Sequence, residues 1–279
     1  MERSGDVCLN VCYSSARSQT PNHARSRTLQ RQTYGRTFID MFPATAGLLM
    51  VNVAFFLLEL ILSDKLRLHE PDGGGSLDPH GEVLKVLGSS RTQEVLDGEV
   101  WRLVSSCYLH GGIMHVLMNM YVLAMLGRSC EPLLGTARFF ATYVACGALA
   151  GVAAVGWRYY EGNPFSSSVG ASGAVAGLVG LLLAFSLRHK DRMLRGQILQ
   201  WIGFMVVISL VIQFGTRSIA LDHAGHLGGL AAGFVFGLFV PPYVSSASSM
   251  RWKIPCGIAI AVTVVCLGMS LWTQYKAWQ

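Results

Sequence analysis

From about residue 43 onward, the chain alternates between apolar runs of roughly twenty residues and short polar connections. The runs are Pro43–Leu62, Gly111–Gly127, Leu133–Gly156, Val169–Leu187, Ile198–Thr216, Ile219–Val240 and Ile254–Thr273. Twenty helical residues rise about 30 Å, which matches the hydrocarbon thickness of a bilayer. The pattern therefore predicts an all-α, polytopic membrane bundle of seven helices. Polar sequence gathers in two places, the first 40 residues and the long loop between Ser63 and Gly112.

A few polar side chains interrupt the apolar runs, and such groups cost free energy in hydrocarbon and by default mark function. His115 and Asn119, four residues apart, share one face of the second span. Ser172 opens the fourth within Gly170-Ala171-Ser172-Gly173, and His226 is expected about two turns into the sixth within Gly225-His226-Leu227-Gly228-Gly229. Alternate spans run in opposite directions, so spans two, four and six begin on one side of the membrane. Their early polar residues then share a layer and can converge. Each residue alone also has a purely structural explanation, a serine bonded to its own helix or a buried histidine satisfied by a neighbour.

Glycines repeat at every fourth position, Gly173 and Gly177 in the fourth span and Gly225, Gly229, Gly233 and Gly237 in the sixth. Small residues at this spacing let two helices approach closely. Packing would account for the pattern, and close approach is also what a direct serine–histidine contact requires.

Composition agrees with a membrane protein, with charged residues at 14% and hydrophobic residues at 52%. The net charge of +6 does not point to nucleic acid, because the cations follow a topological pattern. Arg128, Arg138, Arg188, Lys190, Arg192, Arg195, Arg251 and Lys253 fall in or beside the connections on one side. The short connections on the other side hold Arg158 and Arg217, and the long loop has eight acids against five bases. Positive charge favours the inside, so the N-terminus is expected inside and the Ser172 end outside. The tail, with six arginines and only Glu2 and Asp6 before Asp40, fits either a transit peptide or a disordered basic arm. The domain expectation is residues 1–40 as that tail, 41–241 as the core and 242–279 as an added helix. The seven cysteines show no CxxC pairing and suit packed helices.

Serine beside histidine has the types needed for a nucleophile and its general base. His226 would take the Ser172 proton, the alkoxide would attack a peptide carbonyl, and His226 would protonate the leaving amine. The Ser172 backbone N–H, the Asn119 amide and the His115 imidazole are the available donors for the oxyanion. Asp222 lies one turn before His226 and is expected to cap the sixth helix, leaving a dyad. His110 and His223, with Cys107, could suggest metal, but no HExxH arrangement supplies a water-activating base. No cofactor or metal is expected. His110 is expected to bond loop backbone and pin the long loop.

At these residues the chain resembles the rhomboid family of intramembrane serine proteases. The likeness rests on Glu99-x-Trp101-Arg102, His110-x4-His115-x3-Asn119, Gly170-x-Ser172-Gly173 and His226 followed by Gly228-Gly229, in that order across roughly residues 43–241. It implies a six-helix rhomboid core plus a seventh C-terminal helix, with Ser172 as nucleophile and His226 as base. It places His115 and Asn119 at oxyanion positions. Trp101, Arg102, His110, Gly170, Gly173 and Gly229 become supporting residues. It implies single-span membrane protein substrates, cut within or near a bacterial-type or organelle inner membrane through a cavity open to the outside. One departure is Ala176, where some members carry a tyrosine that stacks on the catalytic histidine. A catalytically silent relative would have no reason to keep both Ser172 and His226. A small transporter would show an inverted repeat and polar groups near mid-membrane, and neither is visible.

Overall fold

The computed structural model describes residues 37–67, 77–215, 222–239 and 252–277. The chain divides into two compact units, Met1–Met41 and Phe42–Gln279. In the first unit, residues Phe38–Met41 form one helical turn capped by Thr37, whose Oγ1 accepts the Asp40 amide at 3.3 Å. The basic tail ahead of it lies outside the described residues.

The second unit begins with α1 (Pro43–Arg67). The long loop then holds α2 (Gly81–Val86), β1 (Ser90–Arg91), α3 (Thr92–Leu96), α4 (Arg102–Ser105) and a 3-10 turn at Ser106–Tyr108. Next come α5 (Ile113–Leu134), α6 (Thr136–Tyr160), β2 (Ser167–Ser168) and α7 (Ser172–Arg188). The remainder is α8 (Arg192–Gly215), α9 (His223–Phe239) and α10 (Lys253–Ala277). Among the described residues, α1, α5, α6 and α10 are long and apolar enough to cross a membrane, while α7 and α9 are apolar helices of 17 residues. The architecture is a mostly helical membrane bundle.

Two helix boundaries differ from the sequence reading for a physical reason. α5 does not end at Gly127 but runs to Leu134. Its stop is Gly135, which adopts φ +79° and donates its N–H to the Glu131 carbonyl at 2.7 Å. Gly127 serves packing instead, since a β-carbon there would collide with Thr45 of α1. The sixth predicted span begins as helix at His223, so His226 sits in its first turn and not two turns in. Asp222 sets that start by accepting the Gly225 N–H on Oδ1 at 2.8 Å and the His226 N–H on its carbonyl at 3.0 Å. The expected start at Ile219 lies outside the described residues.

α7 and α9 lie side by side against α6 at the centre of the bundle. The glycine stripes mesh as backbone against backbone. A β-carbon on Gly229 would strike the Gly173 carbonyl, one on Gly233 the Gly177 carbonyl, and one on Gly180 the Leu230 carbonyl. Ala150 of α6 fills the groove beside Gly173 and Gly229. α1 is tied to α5 by Glu131, whose carboxylate accepts the Ala44 amide at 3.0 Å, the Thr45 amide at 2.9 Å and the Thr45 hydroxyl at 2.7 Å. These are orphan N–H groups at a helix start, and a buried acid satisfies them. α10 docks on α6 and on the long loop. There Ser270 and Thr273 donate hydroxyls to the Leu87 and Val86 carbonyls at 2.5 and 2.7 Å, closing the C-terminal end of α2.

The long loop is held from within by Arg102. Its guanidinium bonds Glu99 at 2.6 Å and the Lys85 carbonyl at 2.6 Å, and lies 4.8 Å from the Trp101 ring. Trp101 in turn covers Gly88, which adopts φ +100° and leaves no space for a side chain under the indole. Antiparallel pairing of β1 with β2, in register Ser90 with Ser168, joins this loop to the strand that leads into α7.

Candidate active site

Ser172 is the first residue of α7, and the pairing of β1 with β2 sets how the chain enters that helix. Across the α7–α9 seam, Ser172 Oγ lies 2.7 Å from His226 Nε2. That is hydrogen-bond distance, and the meshed glycines make it possible: with side chains in the seam, neither residue could reach the other. Gly173, next to the serine, and Gly229, about one turn beyond the histidine, both sit in this seam.

Gly170 occupies the space between two side chains. A β-carbon there would lie 2.7 Å from His115 Nε2 and 3.7 Å from Ser172 Oγ. Its φ of +124° is also a conformation glycine alone adopts easily. Its N–H donates to the Ser106 carbonyl at 2.9 Å. His115 thus faces the serine across Gly170. The His115 Nδ1 accepts the Gly111 amide at 3.4 Å, and Asn119 Nδ2 donates to the His115 carbonyl at 2.9 Å. Asn119 keeps a second N–H beyond that bond.

His110 is fully buried, its ring edge-on to His115 with centroids 5.2 Å apart. Burial, with the His115 ring adding to it, pushes His110 down to about 3 against a partial offset from the Tyr108 backbone. It is a neutral group at any physiological pH. Its amide donates to Glu59 Oε2 at 3.2 Å. Among the described residues no group of His, Cys, Asp and Glu is placed to hold a metal ion.

Asp222 caps α9, as its position ahead of the helix predicted, and also faces Arg158 Nη1 at 3.6 Å. The rest of that buried guanidinium bonds Thr92 Oγ1 at 3.1 Å and the Ser90 carbonyl at 2.7 Å. The helix carrying His226 is therefore tied to β1 through one arginine. A narrow cleft of about 30 Å³ opens over Ser172 and His226, with Gly170, Ser168, Asp222 and Cys107 in its walls. Burial, reinforced by Cys266, pushes the Cys107 thiol up to about 12. It stays protonated and does not compete with the serine as a nucleophile.

Three charged residues carry contacts that the sequence reading did not assign: Glu59, Glu131 at the far end of α5, and Arg158. The signal for the first was available, since an acid inside an apolar run is costly unless something holds it. The other two stand near span ends, where charges are ordinary.

A family model described as the rhomboid domain matches residues 97–243. The chain is 31% identical over 209 residues to "Rhomboid protease GluP" of Bacillus subtilis, covering 74% of this chain and 36% of that protein. It is 32% identical over 179 residues to "Rhomboid-like protease 5" of Toxoplasma gondii, 63% of this chain and 20% of the relative. It is 30% identical over 172 residues to "RHOMBOID-like protein 6, mitochondrial" of Arabidopsis thaliana, 59% of this chain and 52% of that one. The chain spans between about a fifth and a half of these three relatives.

Proposed function

Because this chain belongs to the rhomboid family, we propose that it is an intramembrane serine endopeptidase that cleaves single-span membrane proteins within or near the bilayer. The observation that carries this reading is the 2.7 Å contact between Ser172 Oγ and His226 Nε2.

In the first half-reaction the Ser172 hydroxyl adds to a peptide carbonyl while its proton passes to His226 Nε2. The tetrahedral oxygen becomes negative. Donors from the Ser172 backbone N–H, the His115 ring and the Asn119 amide stabilise it, the first helped by the positive end of α7. Collapse breaks the C–N bond, and His226 returns the proton to the departing amine. Water entering by the cleft then adds to the ester carbon, its proton going to His226. Collapse then breaks the bond from the carbonyl carbon to Ser172 Oγ, His226 returns its proton to that oxygen, and the new carboxyl end leaves. Ala176 provides no aromatic face for the imidazole, which is held by its hydrogen bond to the Ser172 hydroxyl. No carboxylate acts as a third member, since Asp222 is engaged with the Gly225 amide and Arg158.

The working architecture is a six-helix core with α10 as the seventh span and the N-terminus inside, in a bacterial-type or organelle inner membrane. The cation bias of the connections supports this orientation. The test is cleavage of a single-span reporter in liposomes by wild type, Ser172→Ala and His226→Ala. Both variants should lose cleavage. Retention in either would overturn the dyad.

A further inference from the structure

We propose that Glu59, in the first membrane helix, is a positioning residue for catalysis: its carboxyl oxygen sets the turn before α5 so that His115 presents an N–H to the oxyanion. This rests on the reading that His115 serves the oxyanion.

The argument begins with a group in a costly place. Glu59 is fully buried, 0% exposed, in an apolar helix, where a polar carboxyl group is costly unless it is hydrogen-bonded. Its Oε2 accepts the amide of His110, 51 residues further along the chain. The very next amide, that of Gly111, donates to Nδ1 of His115. Two consecutive N–H groups are thus fixed, one by the carboxyl oxygen and the next onto the imidazole. Gly112, the N-cap of α5, has no side chain of its own to close the helix start.

The consequence is a choice of tautomer. A neutral imidazole carries one N–H, and its two nitrogens are chemically distinct. With Nδ1 accepting from Gly111, the proton resides on Nε2. Nε2 is also the atom that faces Ser172 across Gly170. The ring therefore offers a donor where negative charge develops, and would offer an acceptor there in the opposite tautomer. Glu59 touches none of the reacting groups. It acts by holding the backbone that decides which nitrogen of His115 is protonated.

The experiment uses the full chain in liposomes with the single-span reporter, comparing Glu59→Leu, Glu59→Gln, His115→Ala and the Glu59→Leu/His115→Ala double variant. Glu59→Leu should lower kcat roughly tenfold to a hundredfold, at or below the loss from deleting one oxyanion donor, with KM unchanged. Glu59→Gln keeps an acceptor oxygen and should stay within about threefold of wild type. In the His115→Ala background, Glu59→Leu should cost nothing further, because its effect travels through that ring. Wild-type kcat for Glu59→Leu, or an undiminished loss in the His115→Ala background, would overturn the proposal. Unaltered turnover of His115→Ala alone would instead remove the oxyanion reading itself, and the proposal with it. An independent readout needs no variant at residue 59. Nitrogen-15 histidine spectra of the wild-type protein, assigned through His115→Ala, should show His115 protonated at Nε2, and protonation at Nδ1 would refute the proposal.

Discussion

Substituting Gly233 by alanine tests whether the glycine seam, and not the residues of the site alone, holds hydroxyl and imidazole together. Gly233 is seven residues beyond His226, about two turns or 10 Å along α9, and touches no reacting group. A β-carbon there would fall on the Gly177 carbonyl oxygen and lie 2.5 Å from the carbonyl carbon and 2.7 Å from Cα. Carbon atoms settle near 3.5–4.0 Å, and the obstruction is backbone, which cannot rotate aside. α7 and α9 must then part by about 1 Å. Parting of that size would carry the Ser172–His226 contact from 2.7 Å past the range in which a hydrogen bond holds. Overpacking of this kind costs about 1–3 kcal/mol, and a misplacement of about 1 Å lowers turnover on the order of a hundredfold. Gly47→Ala is the control, because nothing lies within 4 Å of a β-carbon there, and alanine inside a helix should add about 0.5–1 kcal/mol. Reporter cleavage in liposomes and thermal denaturation in detergent read the two effects. Gly233→Ala with cleavage within twofold of wild type and unchanged thermal stability would refute the reasoning.

Three further outcomes follow from the same geometry. Asn119→Ala should slow turnover by about 2.7–4 kcal/mol of barrier, the usual loss of one preorganised donor, with KM little changed; an unchanged kcat would exclude that role. His110 titrates near 3 when folded against about 6.5 when unfolded, so below about pH 6.5 the unfolded chain takes up a proton that the native protein refuses. Stability should therefore fall as pH drops from about 6.5 toward 3, by about 1.4 kcal/mol per pH unit from this group. It should be flat in this term at higher pH; thermal scans of wild type against His110→Leu would show the extra slope in wild type alone. Glu131→Ala leaves the Ala44 and Thr45 amides and the Thr45 hydroxyl without their acceptor, which should cost on the order of 3 kcal/mol, at 1.5–3 per bond to a charged group with partial rescue by water. A change below about 1 kcal/mol in detergent denaturation would contradict it.

What could be read from the chain ahead of the fold divides along a physical line. Ser172 and His226 were legible because chemistry and packing left two signals at one place, a reactive side chain and glycines every fourth residue on the same helix. Asp222 was legible because a cap is a local device, reaching three residues to Gly225. Gly127 and Gly135 mark the limit of such reasoning. They are the same residue type eight positions apart near the end of α5, yet one yields space to Thr45 while the other turns the chain with a positive φ. Only the neighbouring helix distinguishes them. Glu59 and Arg158 go further, since their partners lie 51 and 66 residues away and no period in the sequence relates such pairs. Even so, a buried acid is not silent. In hydrocarbon its oxygens are costly unless they find hydrogen-bond donors, so an acid inside an apolar run predicts that some distant backbone is being held. One oxygen of Glu59 meets that condition on the His110 amide, at the turn before α5, and it is there that the energetic cost of burying a polar group becomes geometry beside the site.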